Sequence, residues 1–368
     1  MLPYTLRRLS LIPITILGII AINFFIVQIA PGGPVEQLLS QINNSAVVSA
    51  TIRVGGGESF EAGRSKVWQR NASFQSLYRG AQGLDPNFID KINQQFGFDQ
   101  PAYIRFWRMV CEYLTFDFGK SYFLDRAVLD LVLEKLPVSV SLGVWSTILI
   151  YATSIPLGIA KAVRHGSSFD VLSSAVVIVC YAIPSFLVAI LLINLFAGGE
   201  HLDWFSLRGL VSDNWGNLSW HERVIDYFWH LTLPIVSVVV GNFASLTMFT
   251  KNSFLDEINK QYVMTARAKG LNEIRILYRH VFRNAMLLVI AGFPEALLGM
   301  FFTGSLLIEV IFSLDGIGLL SFEAVIKRDY PVMFGTLYIF SLIGLLMNVI
   351  KDLIYHWADP RICFLTLE

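Results

Sequence analysis

The residue types that support catalysis or metal binding are few and widely separated in this sequence. The six histidines lie far apart and lack the spacing of a metal site. No G-x-S-x-G, H-E-x-x-H or C-x-x-C motif occurs. Of the three cysteines, Cys111 is predicted outside the cell, Cys180 within the membrane and Cys363 in the cytoplasm. They therefore predict no disulfide framework. We therefore expect no catalytic residue, no metal site and no cofactor in this chain.

Gly119, Lys120 and Ser121 superficially match the end of a phosphate-binding loop. Such a loop needs another glycine five residues before its last glycine, and the sequence has Leu114 there. The segment is also predicted to lie outside the cell. We therefore reject a nucleotide site at this position.

Two carboxylates lie in or directly after one predicted membrane span, 284–308. Glu295 is in its middle, where an ionised carboxylate costs on the order of 2.5–3.5 kcal/mol. Two interpretations remain open: Glu295 is protonated or hydrogen-bonded at a helix interface, or it lines or gates a path. Glu309 is nearer the outer end, where its side chain can reach the membrane surface. Glu295 is therefore the pore candidate.

A basic and helix-prone segment lies between two long apolar runs. From Lys251 to Arg283 it carries seven basic and three acidic residues. The pattern predicts two short helices, 256–269 and 272–284, because Gly270 can close a helix in the left-handed conformation and Asn272 can cap the next one. Small residues in the first helix allow a partner surface to approach closely. The alternative is a solvated loop that only enforces topology.

The elements that position this loop are membrane helices. Only 15% of the residues are charged, and mean hydropathy is +0.57. Six runs are long enough to cross a bilayer as helices, so we predict an all-α membrane protein with six spans. These runs cover residues 9–35, 136–160, 171–199, 231–250, 284–308 and 330–350.

The distribution of basic residues predicts the orientation of the spans. Arg7 and Arg8 precede the first run, and Lys161 and Arg164 lie between the second and third. By the positive-inside rule these segments are cytoplasmic, as are both termini. We divide the chain into an N-terminal helix (1–35), a periplasmic region (36–135), a five-helix core (136–356) that includes the loop 252–284, and a cytoplasmic tail (357–368).

The loop resembles the coupling loop of ABC importer permeases, in particular the dipeptide/oligopeptide/nickel branch. Residues 265–270 read T-A-R-A-K-G, and residues 279–285 match R-H-x-x-R-N-A. The Glu that begins this loop in other ABC importers is replaced by Met264. Further similar stretches are A-P-G-G-P at 30–34, F-G-F-D-Q-P at 96–101, D-F-G-K-S at 117–121, I-P-S-F at 183–186, R-D-Y-P at 328–331 and D-P-R at 359–361.

Two features depart from the common family pattern. Asp315 stands where the family often has proline before G-I-G at 316–318. The stretch between Pro34 and Phe96 is much longer than usual, so that about 43–83 is an extra segment, and this insertion resembles the Yej-type branch, associated with import of microcin C and related peptides.

The resemblance implies a permease that pairs with a second, homologous permease in the bacterial inner membrane. Two ABC ATPase domains would bind ATP-Mg, a periplasmic binding protein would deliver peptide, and nucleic acid would have no role. A stand-alone secondary transporter and a membrane-embedded enzyme are the alternatives. The resemblance assigns ATPase coupling to Thr265, Ala266, Arg267, Ala268, Lys269, Gly270, Arg279 and His280.

Overall fold

The computed structural model describes residues 2–29, 100–197, 202, 204–206, 208–212, 214–299 and 306–358. Within these residues the regular structure is helical, and the only β-type pairing is an isolated bridge between Lys120 and Ala127. The predicted extra segment 43–83 and the tail 359–368 lie outside the described residues.

The helices are numbered here in chain order. They are α1 (Leu2–Ile29), α2 (Ala102–Leu114), α3 (Val128–Val163), α4 (Ser168–Ala182), α5 (Ser185–Phe196), α6 (Trp220–Ile258), α7 (Gln261–Ala268), α8 (Glu273–Ile276), α9 (Phe282–Ala291), α10 (Phe293–Gly299), α11 (Leu306–Ile311), α12 (Ile317–Lys327) and α13 (Tyr330–Ala358). A π-helical turn, Leu277–Val281, joins α8 to α9.

Among the described residues, three helices are long and apolar enough to cross a membrane: α3, α6 and α13. They contain the predicted second, fourth and sixth spans. The apolar part of α1 is shorter, Ser10–Ile26. The predicted six-span count therefore stays a prediction.

The third predicted span is not one continuous helix. Its two halves, α4 and α5, meet at an angle of 91°. The break falls at Ile183 and Pro184, because proline disfavours the helical conformation in the residue before it, and Ile183 is extended at φ −91° and ψ 118°. The fifth predicted span is also divided, since α9 ends at Ala291 and α10 begins at Phe293.

Helices α3 and α6 pack closely along their lengths. A Cβ added to Gly158 on α3 would lie 2.7 Å from Cβ of Thr250 on α6. Ser154 Oγ on α3 also donates to the Phe243 carbonyl of α6 at 2.9 Å. Small residues let membrane helices approach in this way, and this pair forms the frame on which α4, α5 and the loop are mounted.

Two segments that resemble family motifs meet beside the N-terminal end of α3. Ser121 Oγ donates to Asp329 Oδ2 at 2.5 Å, and the Tyr122 amide donates to Asp329 Oδ1 at 3.3 Å. Both Ser121 and Asp329 are buried. The G-K-S stretch therefore anchors the start of α13 instead of forming a phosphate loop.

Candidate functional site: the loop between α6 and α9

The first residues of the loop 252–284 belong to α6, and the helix breaks at Asn259 and Lys260. The predicted start of its first helix at Asp256 was wrong, because α6 continues through that residue to Ile258 and Lys260 is extended at φ −73° and ψ 152°. Glu257 bridges the break by accepting hydrogen bonds from the Lys260 ammonium and, at 2.7 Å, from Tyr262 Oη. Burial and the contact with Glu257 raise the pKa of Tyr262 to about 12.

A tight turn ends α7. Gly270 has φ of +76°, as the sequence predicted. Its amide donates to the Arg267 carbonyl at 2.9 Å, and the Leu271 amide donates to the Ala266 carbonyl at 3.3 Å. These two bonds form a Schellman motif. The predicted cap of the next helix is also present, because Asn272 Oδ1 accepts a hydrogen bond from the Ile274 amide at 3.1 Å.

The second helix of the loop is longer than predicted. It was expected to end near Asn284, but α8, the π-helical turn and α9 continue without interruption from Glu273 to Ala291. A single-turn π-helix within an α-helix is frequent at functional sites. The loop is therefore joined rigidly to the following membrane segment.

The predicted coupling residues divide between an outer face and a buried base. Ala266 is buried with Val263, Ile276 and Val281 in a cluster that includes Phe254 of α6. Ala266 therefore packs against its own chain and does not offer a small surface to a partner. His280 is half-buried. The exposed members of the predicted set are Thr265, Arg267, Ala268, Lys269, Gly270 and Arg279.

An ion pair joins α7 to α8 across the turn. Arg267 Nε and Nη2 donate to the two carboxylate oxygens of Glu273 at 2.7 and 3.1 Å. Bidentate pairing of this kind fixes orientation as well as distance. The hydrogen bond from Arg267 lowers the pKa of Glu273.

The outer face of the loop also carries apolar side chains. Met264, Ile274 and Tyr278 are each about three-fifths exposed or more, and Arg275 and Arg279 lie on the same shallow groove as Ile274 and Tyr278. Exposed apolar groups rimmed by cations are typical of an interaction surface. This face can bind an apolar partner surface with acidic groups at its edge.

The structure describes the side chain of only one of the two carboxylates, Glu295 and Glu309. Glu295 lies on α10, and its side chain is outside the described residues. The expectation that Glu309 reaches the membrane surface was wrong, since its residue is fully buried. It accepts hydrogen bonds from Ser139 Oγ and from the Leu319 amide, both at 2.8 Å, and so joins α11 to α3 and α12.

The sequence did not predict a buried cluster of charged side chains between α3, α4 and α6. Asp170 of α4 contacts Lys161 of α3 and Lys251 of α6, and all three residues are buried. Lys161 and Lys251 had been counted only as basic residues. A buried pairing between distant residues leaves no local sequence pattern, although Asp170, three residues after Ser167, does match a helix start.

Among the described residues, no group of three or more His, Cys, Asp or Glu side chains could hold a metal ion. The arrangement consists of membrane helices, a rigidly based loop with an exposed face, and buried charge pairs between helices. This arrangement is typical of a membrane component that contacts other proteins through an exposed face.

Comparison with known proteins identifies the class. Residues 154–363 match the family described as the binding-protein-dependent transport system inner membrane component, and the chain belongs to this family. It is therefore a permease subunit of a binding-protein-dependent ABC importer, a transport component and not an enzyme.

Individual relatives indicate which permeases within this family the chain is similar to. The chain is 57% identical, over 98% of both chains, to the Agrobacterium fabrum peptidoglycan transport system permease protein YejB. It is 58% identical, again over 98% of both, to the Escherichia coli O157:H7 inner membrane ABC transporter permease protein YejB. The Bacillus subtilis oligopeptide permease AppB is 30% identical over 98% of this chain and 99% of its own.

Solved structures include a more distant neighbour. The methionine ABC transporter MetNI in an inward-facing conformation aligns with a TM-score of 0.49 and 16% identity, over 62% of this chain and 97% of the other. The family assignment rests on the matched family and on the sequence relatives.

Proposed function

We propose that this chain is one of two permease subunits of a peptide importer of the inner membrane. Its substrates would be oligopeptides, including peptides of the cell wall and peptides similar to microcin C. The relatives named for peptidoglycan and oligopeptide transport support this substrate class. ATP-Mg would be bound by two separate ATPase domains, and a periplasmic binding protein would supply the peptide.

The observation that carries the proposal is the exposed face of the loop on its buried base. Thr265 and Ala268 are small and exposed, so an ATPase surface can approach α7 closely. The base contains Phe254 of α6 and Ala285 of α9, so a push on α7 would reach both adjoining helices. ATP drives the change because the two conformations of the importer differ in affinity for it.

The proposed orientation follows the distribution of basic residues. We infer six spans, cytoplasmic termini, and a periplasmic region 36–135 that contains the extra segment. A second permease and lipid would cover the remaining sides of the spans. In the apolar stretches of α3, α6 and α13, only 28–44% is buried within this chain. Glu295 remains the candidate pore residue.

The exposed small residue Ala268 allows a direct test. Ala268→Trp should insert and fold normally but lose copurification with the ATPase, because the indole holds the two surfaces apart. Ala268→Ser, at the same position, should retain it. ATP-driven uptake of a labelled muropeptide into vesicles should follow the same order.

Two results would contradict the proposal. One is uptake by Ala268→Trp at the wild-type rate with the ATPase still bound. The other is a wild-type chain that purifies without any ATPase and transports peptide on an ion gradient alone, which would identify a secondary transporter instead.

A further inference from the structure

Three helices bring charged side chains together at the ends nearest the loop. Lys161 of α3, Asp170 of α4 and Lys251 of α6 are 0%, 4% and 9% exposed. Lys251 Nζ donates to both carboxylate oxygens of Asp170, at 2.7 and 2.8 Å. Lys161 Nζ lies 3.3 Å from Asp170 Oδ1. A single carboxylate therefore pairs with two ammonium groups from two other helices.

The hydrogen bonds of this cluster are well satisfied. Lys161 Nζ donates to the Asp170 carbonyl at 3.1 Å and to the hydroxyls of Ser173 and Ser174 at 2.9 and 2.7 Å. Asp170 also accepts from the Gly166 amide at 3.2 Å and contacts His165 Nδ1 at 3.2 Å. The carboxylate is thus fixed to the turn that precedes α4.

Separation of these helix ends would leave buried charges without partners. An isolated charge in a low-dielectric interior is far less stable than a paired one. The ends of α3, α4 and α6 should therefore move as one body. Lys251 lies about two turns before α6 ends at Ile258, so this body is continuous with the loop.

A second close contact joins the bent pair of helices α4 and α5 to α6. A Cβ added to Gly241 of α6 would lie 2.9 Å from Cβ of Ser185, the first residue of α5. The bent α4–α5 pair therefore contacts α6 tightly at two places, at Asp170 near the loop and at Ser185 beyond the bend.

We propose that Asp170 and Lys251 are positioning residues for transport, because they fasten the α4–α5 pair to the helix that carries the coupling loop. Movement of the loop then reaches α4 and α5 together with α6. This inference rests on the proposed function, in which an ATPase moves the loop. Neither residue needs to touch ATP or peptide.

The test uses the assembled importer with its ATPase subunits. Asp170→Asn leaves two buried ammonium groups without a carboxylate and can simply destabilise the chain. The double variant Asp170→Asn with Lys251→Met removes one charge of each sign, so the net charge of the cluster is unchanged. Lys161 loses its carboxylate partner but keeps its hydrogen bonds to the hydroxyls of Ser173 and Ser174. We expect the double variant to fold and bind the ATPase, but to transport about tenfold fewer peptides per ATP hydrolysed.

Two control variants separate positioning from general stability. Lys251→Arg keeps the cation and should retain most of the coupling. Glu323→Gln removes the exposed ion pair between Glu323 and Lys327, at 2.6 Å. It should leave the number of peptides transported per ATP hydrolysed unchanged. A double variant with the wild-type ratio of peptide to ATP would overturn the proposal.

A structural readout tests the fastening independently of transport. Spin labels at the exposed positions Ser168 on α4 and Asp256 on α6 should give one narrow distance in the wild type, with and without ATP. The distribution should broaden in the double variant, and an unchanged one would overturn the inference. If the wild type binds no ATPase, the proposed function fails while this distance still reports on the fastening.

Discussion

Glu309 shows how one buried carboxylate explains the residues around it. Its two oxygens accept from Ser139 Oγ and from the Leu319 amide, and Ser139 Oγ in turn accepts from the Ile317 amide at 2.9 Å. A Cβ on Gly316 would lie 2.5 Å from Glu309 Cδ, and one on Gly318 2.8 Å from Oε2. The G-I-G stretch is therefore required because the carboxylate occupies the space that side chains would fill.

This contact predicts that two substitutions are not additive. Gly316→Ala should destabilise the wild type by about 1–3 kcal/mol, the usual range for overpacking, since the added methyl group meets the carboxylate. In a Glu309→Ala background the space is free, and the same change should cost much less. Unfolding of the detergent-solubilised protein measures both differences.

The matched control for this cycle is Gly344→Ala. Its Cβ would meet nothing within 4 Å on α13, so it should be neutral or stabilising, by about 0.5–1 kcal/mol. Equal costs of Gly316→Ala in the two backgrounds would show that Glu309 does not occupy that space.

The ion pair of the loop predicts a change in one titration. The pKa of Glu273 is lowered by its hydrogen bond from Arg267, so the pair stabilises the turn above the ordinary glutamate pKa of about 4.3 and is lost as pH falls through the lowered value. Arg267→Gln should raise the pKa of Glu273 back toward that value. Carboxyl-carbon NMR measures both midpoints, with Glu273→Gln to assign the signal, and equal midpoints would contradict the pairing.

The turn between α7 and α8 determines how the exposed face of the loop is oriented. A left-handed Gly270 reverses the chain, the Schellman bonds close α7, and Asn272 starts α8. A Cβ on Gly270 would meet nothing within 4 Å. Glycine is therefore needed there for its backbone conformation alone, not for lack of space.

This distinction predicts opposite results for two substitutions of Gly270. Valine is β-branched and disfavours positive φ, where an ordinary side chain costs about 1–2 kcal/mol, so Gly270→Val should insert normally but lose ATPase association and uptake. Gly270→Asn should retain most of both, because asparagine tolerates this conformation. ATPase copurification and vesicle uptake test both variants; normal coupling by Gly270→Val would remove the turn from the mechanism.

Elements set by local signals were predictable from the sequence, whereas contacts between distant residues were not. Apolar runs predicted α3, α6 and α13, and Gly270 and Asn272 predicted the turn, since each signal lies within a few residues of its effect. The run 171–199 hid the bend at Pro184 because apolar composition does not report direction. The pairing of Asp170 with Lys251 joins residues 81 positions apart, which no local pattern encodes.

The part of the chain that the structure describes leaves much of its apolar surface uncovered. In the apolar 18-residue stretch of α13, only 28% is buried, and the corresponding stretches of α3 and α6 are 39% and 44% buried. Exposed apolar side chains occur on α1, α4 and α5 as well. In a membrane, lipid or other subunits cover such sides, which agrees with a proposed function that depends on partners.

The extra segment 43–83 lies between the first helix and α2 in the sequence. It has too few apolar residues for a core of its own, and long insertions of this kind are usually functional or disordered. We expect it to cover the outer mouth of the pore and contact the binding protein or the passing peptide. Replacement by a short Gly/Ser bridge should preserve membrane insertion and pairing with the second permease, but weaken binding-protein docking and peptide uptake. Transport at the wild-type rate with unchanged docking affinity would identify the segment as a tolerated insertion.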